Sequence, residues 1–282
     1  MATVTAGVSR QQAAPVLSVK GSIAGSLRSE FTKIRSVRST YLTLIVLVLA
    51  SVGWAIADCA GEAAHWAQTA PQDKASFDPT QASVVGLALL GQLVIVVLGA
   101  LVMTSEYSTG MMRTSLGVMP RRGVLYGSKA VVLAAVTLVI ALITSCASFF
   151  IGQSLLHSTH VAANLSQPGV LRAVLASAFY IALSGLFAFA LGAIVRSSAG
   201  AITTAFGVLF LLPQLAKALP SSWYSALVRW LPGGNSVGAF TGTNSASAAP
   251  HLFSAWGEFA VFGGYTLVLL IVGALLFSRR DA

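Results

Sequence analysis

The run Ala82-Ser-Val-Val-Gly-Leu-Ala-Leu-Leu-Gly-Gln-Leu-Val-Ile-Val-Val-Leu-Gly-Ala-Leu-Val-Met103 decides what kind of protein this is. It holds no Asp, Glu, Lys or Arg. At about 1.5 Å of rise per residue, a helix of this length crosses the ~30 Å hydrocarbon core of a bilayer. Five further stretches, 41–57, 129–151, 171–194, 199–215 and 258–277, are also long and mostly apolar, with a single charged residue near the start of three of them, Lys129, Arg172 and Glu258. The chain is therefore read as an all-α integral membrane protein with six transmembrane helices within 41–282. Composition agrees: of 282 residues 56% are hydrophobic and 9% charged, with mean hydropathy +0.81. An ordinary soluble domain is about 25% charged, so that class is excluded. Only Val195, Arg196, Ser197 and Ser198 separate the fourth and fifth runs. One continuous helix would carry Arg196 deep into lipid at a cost of about 2.5 kcal/mol or more, so a tight hairpin with Arg196 at the surface is expected.

The net charge of +9 and the pI near 10.1 are compatible with nucleic-acid binding. The position of the charge argues for a lipid bilayer as partner and against nucleic acid, because the basic residues flank the apolar runs. With the N-terminus inside, thirteen Lys and Arg fall on the inner side, and Lys74, Arg172, Lys217 and Arg229 on the outer. The positive-inside rule then places both termini in the cytoplasm. Asp58, Glu62, Asp73 and Asp78 fall on the outer side. Cys59 and Cys146, at different depths, are read as free thiols. Ala55-Ile56-Ala57 resembles a signal-peptidase site, but the polar leader before it is longer than a signal n-region, so no cleavage is expected.

Three segments lie outside the spans. Residues 1–20 read as a flexible cytoplasmic tail. In 21–40, Leu27, Phe31, Ile34, Val37 and Tyr41 share one helical face while Arg28, Lys33 and Arg35 point elsewhere. This is the pattern of an N-terminal amphipathic, basic helix lying in the inner headgroup layer, with Arg38 snorkelling from its end. Its role is either to fix orientation or to meet a partner. The loop from Thr104 to Lys129 is too long for a minimal hairpin. Ser108 or Thr109 is suited to cap a short helix through Leu116, stopped by Pro120, with Met111, Met112 and Leu116 as an adaptable apolar face. Glu106, at the inner end of the second run, is expected to pair with Arg113 or Arg121, or to cap a helix N-terminus. On the outer side, Trp223, Tyr224, Trp230, Trp256 and the Pro- and Gly-broken run 231–240 suit either an interfacial, partly re-entrant segment or a plain loop.

The chemistry that is missing also informs. A phosphate loop of the Walker A type needs Gly-Lys followed by Ser or Thr. The five lysines follow Val19, Thr32, Asp73, Ser128 and Ala216, so this chain has no means of using ATP and no cofactor is expected in it. His157 and His160, with His65 and His251, fit a zinc site in principle but read as unligated loop residues, because no HExxH pattern accompanies them. Ser145, Ser177 and Ser184 read as packing or backbone-bonding hydroxyls. The near absence of charge inside the spans disfavours a proton-driven pump and an ion channel.

The leader Ser29-Glu-Phe-Thr-Lys-Ile-Arg35, the six spans and the inner-loop pattern Ser105-Glu-Tyr-Ser-Thr-Gly110 followed by Arg113, Pro120-Arg-Arg122 and Lys129 together resemble the ABC-2 type permease family, in its actinobacterial form. The resemblance implies a permease dimer, identical or paralogous, in the bacterial cytoplasmic membrane, working with two ABC ATPase subunits that hold ATP and Mg. It implies that Glu106, Tyr107, Gly110, Met111, Arg113, Thr114 and Leu116 belong to the coupling helix seated on the ATPase. It makes Leu27, Phe31, Lys33, Ile34 and Arg35 part of the interfacial connecting helix, and the segment after Pro213 the outer re-entrant region. The path would run between the two copies, lined by the second and fifth spans, for a hydrophobic or amphipathic substrate such as an antibiotic, peptide or lipid. A metal-dependent membrane enzyme and an accessory or sensory membrane protein are the competing classes.

Overall fold

The computed structural model describes residues 23–108, 122–232, 236–243 and 254–279. Among them every regular element is helical. Six helices are long and apolar enough to cross a membrane: Arg38–His65, Pro79–Tyr107, Arg122–Thr159, Val170–Val195, Ser198–Ala216 and Trp256–Arg279. Each expected run lies inside one of them, but the helices overshoot the runs, most clearly at His65, Arg122 and Thr159. Hydropathy marks only the hydrocarbon-facing part of a helix, whereas the backbone hydrogen-bond ladder continues until a turn residue or a cap ends it.

The second and fourth spans form the centre, with 61% and 72% of their apolar windows buried against 17–33% for the other four. They can approach so closely because small residues face each other: a methyl group on Gly99 would land on the Gly185 carbonyl oxygen. Around this contact Ile95, Leu98, Met103, Tyr180, Phe187 and Phe189 build the core. Hydroxyls inside the spans serve packing, as expected. Ser145 Oγ lies 2.8 Å from the Val174 carbonyl and 2.9 Å from Ser177 Oγ, and Ser184 Oγ donates to the Tyr180 carbonyl. Apolar side chains on the outer spans, such as Leu49, Val139, Ile143 and Leu267, are exposed on the perimeter, where a membrane protein meets hydrocarbon.

The hairpin between the fourth and fifth spans forms at the expected place. Arg196 adopts a left-handed conformation (φ 58°) and its N–H closes the helix on the Gly192 carbonyl, while the Ser197 side chain accepts from the Gly200 N–H to start the next helix. The second and fifth spans each contain one π-turn, Leu87–Gly91 and Gly207–Leu211. Pro213 follows the second of them and has no N–H to give to the ladder, so a local widening there has an identifiable cause.

At the Pro79 end of the bundle the long segment after the fifth span folds into short helices, including Ser221–Leu227 and Ser236–Thr241. Asp78 fastens it. One carboxylate oxygen caps the second span by accepting from the Thr80 and Gln81 N–H groups, and the other accepts from Thr243 N at 2.6 Å and Thr243 Oγ1 at 2.8 Å. Arg172 Nη2 donates to the Gly242 carbonyl at 2.8 Å. Trp223, Trp230 and Trp256 are exposed at this end.

The leader differs from the single helix expected over 21–40. It is helical from Ile23 to Ser36, breaks at Val37 in extended backbone (φ −81°, ψ 115°), and Arg38 already belongs to the first span. The break lets the leader turn sideways from the spanning helix, which one continuous helix would forbid.

Candidate functional site

Four charged side chains from three separate helices meet at the Tyr107 end of the second span. Glu30 and Lys33 come from the leader, Glu106 from the last turn of the second span, and Lys129 from two turns inside the third. Lys129 Nζ lies 2.8 Å from Glu30 Oε2 and 2.5 Å from Glu106 Oε1. Lys33 Nζ lies 2.8 Å from Glu30 Oε1 and 3.0 Å from Glu106 Oε1. Two carboxylates and two ammonium groups thus alternate in a neutral quartet. Beside it Ser26 Oγ and Ser128 Oγ are 2.7 Å apart. Ser26, Glu30 and Lys33 fall on one face of the leader by i, i+4 and i+3 spacing, and the adjacent pair Ser128-Lys129 receives them.

The setting is dry. Side-chain exposure is 2% for Lys129, 5% for Glu30 and 8% for Glu106, with Lys33 at 35%. Buried ions are tolerated only when paired and hydrogen-bonded, and each of these three has such partners. For Lys33, burial works against the ammonium, but the hydrogen bonds and negative charge of Glu30 and Glu106 outweigh it and raise its pKa above the ordinary lysine value of 10.5. Lys33 is thus held as a cation. No nucleophile is assembled here, and among the described residues no three His, Cys, Asp or Glu are placed to hold a metal ion. The site can act mechanically, because it ties the leader to both roots of the loop between the second and third spans.

Of the residues singled out from sequence, the structure brings Lys33 and Glu106 together. Tyr107 lies apart from the quartet, its ring beneath the Arg196 guanidinium at 5.1 Å. Gly110, Met111, Arg113, Thr114 and Leu116 lie outside the described residues, as does Arg121. Among the described residues Glu106 pairs with Lys33 and Lys129, while the expected pairing with Arg113 or Arg121 falls on residues outside them. On the leader, Leu27 and Ile34 are half-buried, and Phe31, Arg28 and Arg35 are exposed. The face docked onto the bundle is the polar Ser26-Glu30 face, while Phe31 is 51% exposed. Sequence reasoning missed Glu30 and Lys129. Neither carried a local signal of its burial: in the sequence Lys129 stands at the start of its apolar run, and only the helix from Arg122 places it seven residues inside, where an ionisable group calls for a buried partner.

This arrangement, with leader, quartet and the first five spans, falls within a match to a known family. The model described as ABC-2 family transporter protein matches residues 26–214. The chain belongs to the ABC-2 transporter family. The match begins at Ser26, whose hydroxyl meets Ser128 of the third span, and ends in the fifth span. No curated protein matches the chain. An ABC-2 family protein is a multi-pass membrane component of a transporter, a role other than that of an enzyme, and the family normally works with an ABC ATPase subunit.

Proposed function

We propose that this chain is the permease subunit of an ATP-driven exporter in a bacterial plasma membrane, of the actinobacterial type, and that the Glu30–Lys33–Glu106–Lys129 quartet is its transmission joint. Both termini and the quartet face the cytoplasm in this reading, as the thirteen-to-four distribution of basic residues favours. The ATPase is a separate subunit present in two copies and carries ATP and Mg, and two permease copies, identical or paralogous, enclose the path.

The observation that carries the reading is the position of the joint. Glu106 stands where the chain leaves the second span for the inner loop, and Lys129 where the returning loop has become the third span. A force applied to the loop by an ATPase would reach both spans and the leader together, through ion pairs too buried for water to relax. The loop residues Gly110, Met111, Arg113, Thr114 and Leu116, with Glu106 and Tyr107 at its root, form the ATPase-facing element. Leu27, Phe31, Lys33, Ile34 and Arg35 form the connecting helix, its exposed Phe31 turned to lipid. The segment after Pro213 is the outer region of the path, and the second and fifth spans line it. The cargo class is hydrophobic or amphipathic, in keeping with the near absence of charge in the middle of the spans.

The test is a gentle detergent purification from the native membrane, identification of stoichiometric partners by mass spectrometry, and measurement of vanadate-sensitive ATP hydrolysis and transport in proteoliposomes. A co-purifying ATPase is expected. The Arg113→Glu and Glu106→Gln variants are expected to retain it in the membrane while hydrolysis no longer drives export. Normal transport by Arg113→Glu would remove the coupling role, and a stable preparation without any ATPase would overturn the exporter reading.

A further inference from the structure

At the end of the bundle opposite the quartet, a groove of about 560 Å³ opens between the fourth span, the sixth span and the short helix Ser236–Thr241. That size lies within the ~300–1,000 Å³ typical of small-ligand sites. Leu171, Leu175 and Phe179 line one wall at i, i+4 and i+8 and are 38–52% exposed. Phe259 stands on the facing wall, with its ring 6.2 Å from Phe179, and Phe240, 1% exposed, forms the floor. Arg172 is the one charged residue among the described residues of the lining. It sits in the first turn of the fourth span, half-buried, beside Trp256, which is 74% exposed in the first turn of the sixth.

The surroundings define what fits. A groove on the perimeter of a spanning bundle is filled by hydrocarbon, and its mouth at the first turns of two spans lies at headgroup depth, the level that tryptophan favours. An occupant must be apolar along its length and end in an anion at the guanidinium. The planar fork of arginine matches a phosphate in geometry as well as charge, and basic pockets between membrane helices recognise lipid headgroups by this chemistry. We propose that the groove holds one anionic phospholipid, with an acyl chain between the fourth and sixth spans and its phosphate on Arg172. The sixth span is the least buried of the six, at 17%, so this lipid completes its packing against the bundle. The site is distinct from the proposed transport path and does not depend on the export reading.

Native mass spectrometry of the delipidated full chain, titrated with phosphatidylglycerol or phosphatidylcholine, tests the proposal. The wild type is expected to retain one phosphatidylglycerol in preference to phosphatidylcholine by about tenfold, because the choline cation of phosphatidylcholine offsets the phosphate charge that Arg172 meets, whereas phosphatidylglycerol keeps its net negative charge. Ala176→Trp, which fills the groove, is expected to abolish that retention. Arg172→Gln should retain both lipids equally. Retention by Ala176→Trp at the wild-type level, an unchanged lipid preference in Arg172→Gln, or a dimer whose two copies seal the groove with no lipid retained would each overturn the assignment.

Discussion

Replacing Lys129 by methionine keeps the length of the side chain and removes its charge, which isolates the electrostatic role of the residue. In the wild type the quartet is neutral and Lys129, 2% exposed, bonds both carboxylates. Without it, Glu30 and Glu106, 5% and 8% exposed, share the ammonium of Lys33, and among the described residues one negative charge of the quartet is left uncompensated in a dry site. Removing one partner of a buried ion pair costs about 3–5 kcal/mol, because the remaining ion keeps its desolvation penalty and loses its counter-charge. Lys33→Met removes the same charge from a side chain 35% exposed, where water screens the loss, and about 1 kcal/mol or less is expected. The joint replacement Glu106→Leu with Lys129→Met should recover most of the single-variant loss, since it leaves Glu30 and Lys33 as a matched pair. Thermal unfolding of the detergent-purified chain, followed by tryptophan fluorescence, measures all three. The reasoning is refuted if Lys129→Met is no more destabilising than Lys33→Met, or if the double variant is worse than Lys129→Met alone.

Three further outcomes follow from particular contacts. Gly99→Ala should destabilise by about 2–3 kcal/mol because its new methyl meets the Gly185 backbone; Gly185→Ala, which meets only the movable Ile95 side chain at 3.2 Å, should cost roughly 1 kcal/mol or less in the same unfolding assay. Asp78→Ala removes both the cap of the second span and the tie to Thr243, and should cost about 2–3 kcal/mol and make the segment near Thr243 more accessible to proteolysis; unchanged cleavage would show that the tie is dispensable. The raised pKa of Lys33 means that its contribution is complete below the ordinary value of 10.5 and lost only as pH rises through the higher folded value, so the melting difference between wild type and Lys33→Met should be the same at pH 7 and pH 9.

The spans were legible because the bilayer imposes a length and a composition that no other environment demands, and the hairpin at Arg196 because a charge cannot cheaply cross lipid. Their boundaries were less so: Lys129 stands at the start of an apolar run and was counted with the loop, yet the helix began seven residues earlier at Arg122. That shift moved it from a headgroup position to a buried one and hid its role. The leader showed an apolar face in its own periodicity, but nothing local says that the opposite, polar face docks on the bundle. Its partner for Glu30 is 99 residues away. The Asp78–Thr243 tie spans 165 residues and leaves no local trace at all. For Gly110 to Leu116 the resemblance to the family alone implies a role, since their spacing specifies no partner.

The 99 residues between Glu30 and Lys129 also set an order of events during synthesis. At about 5–20 residues per second, the ribosome delivers Lys129 roughly 5–20 s after Glu30 has emerged. During that interval the leader has no counter-charge from the third span, and Glu106, once inserted, waits at the bilayer edge with Lys33 as its one partner from the quartet. A nascent chain arrested after its second span would expose two carboxylates that the finished protein conceals, a mark by which membrane quality control can tell an unfinished bundle from a completed one.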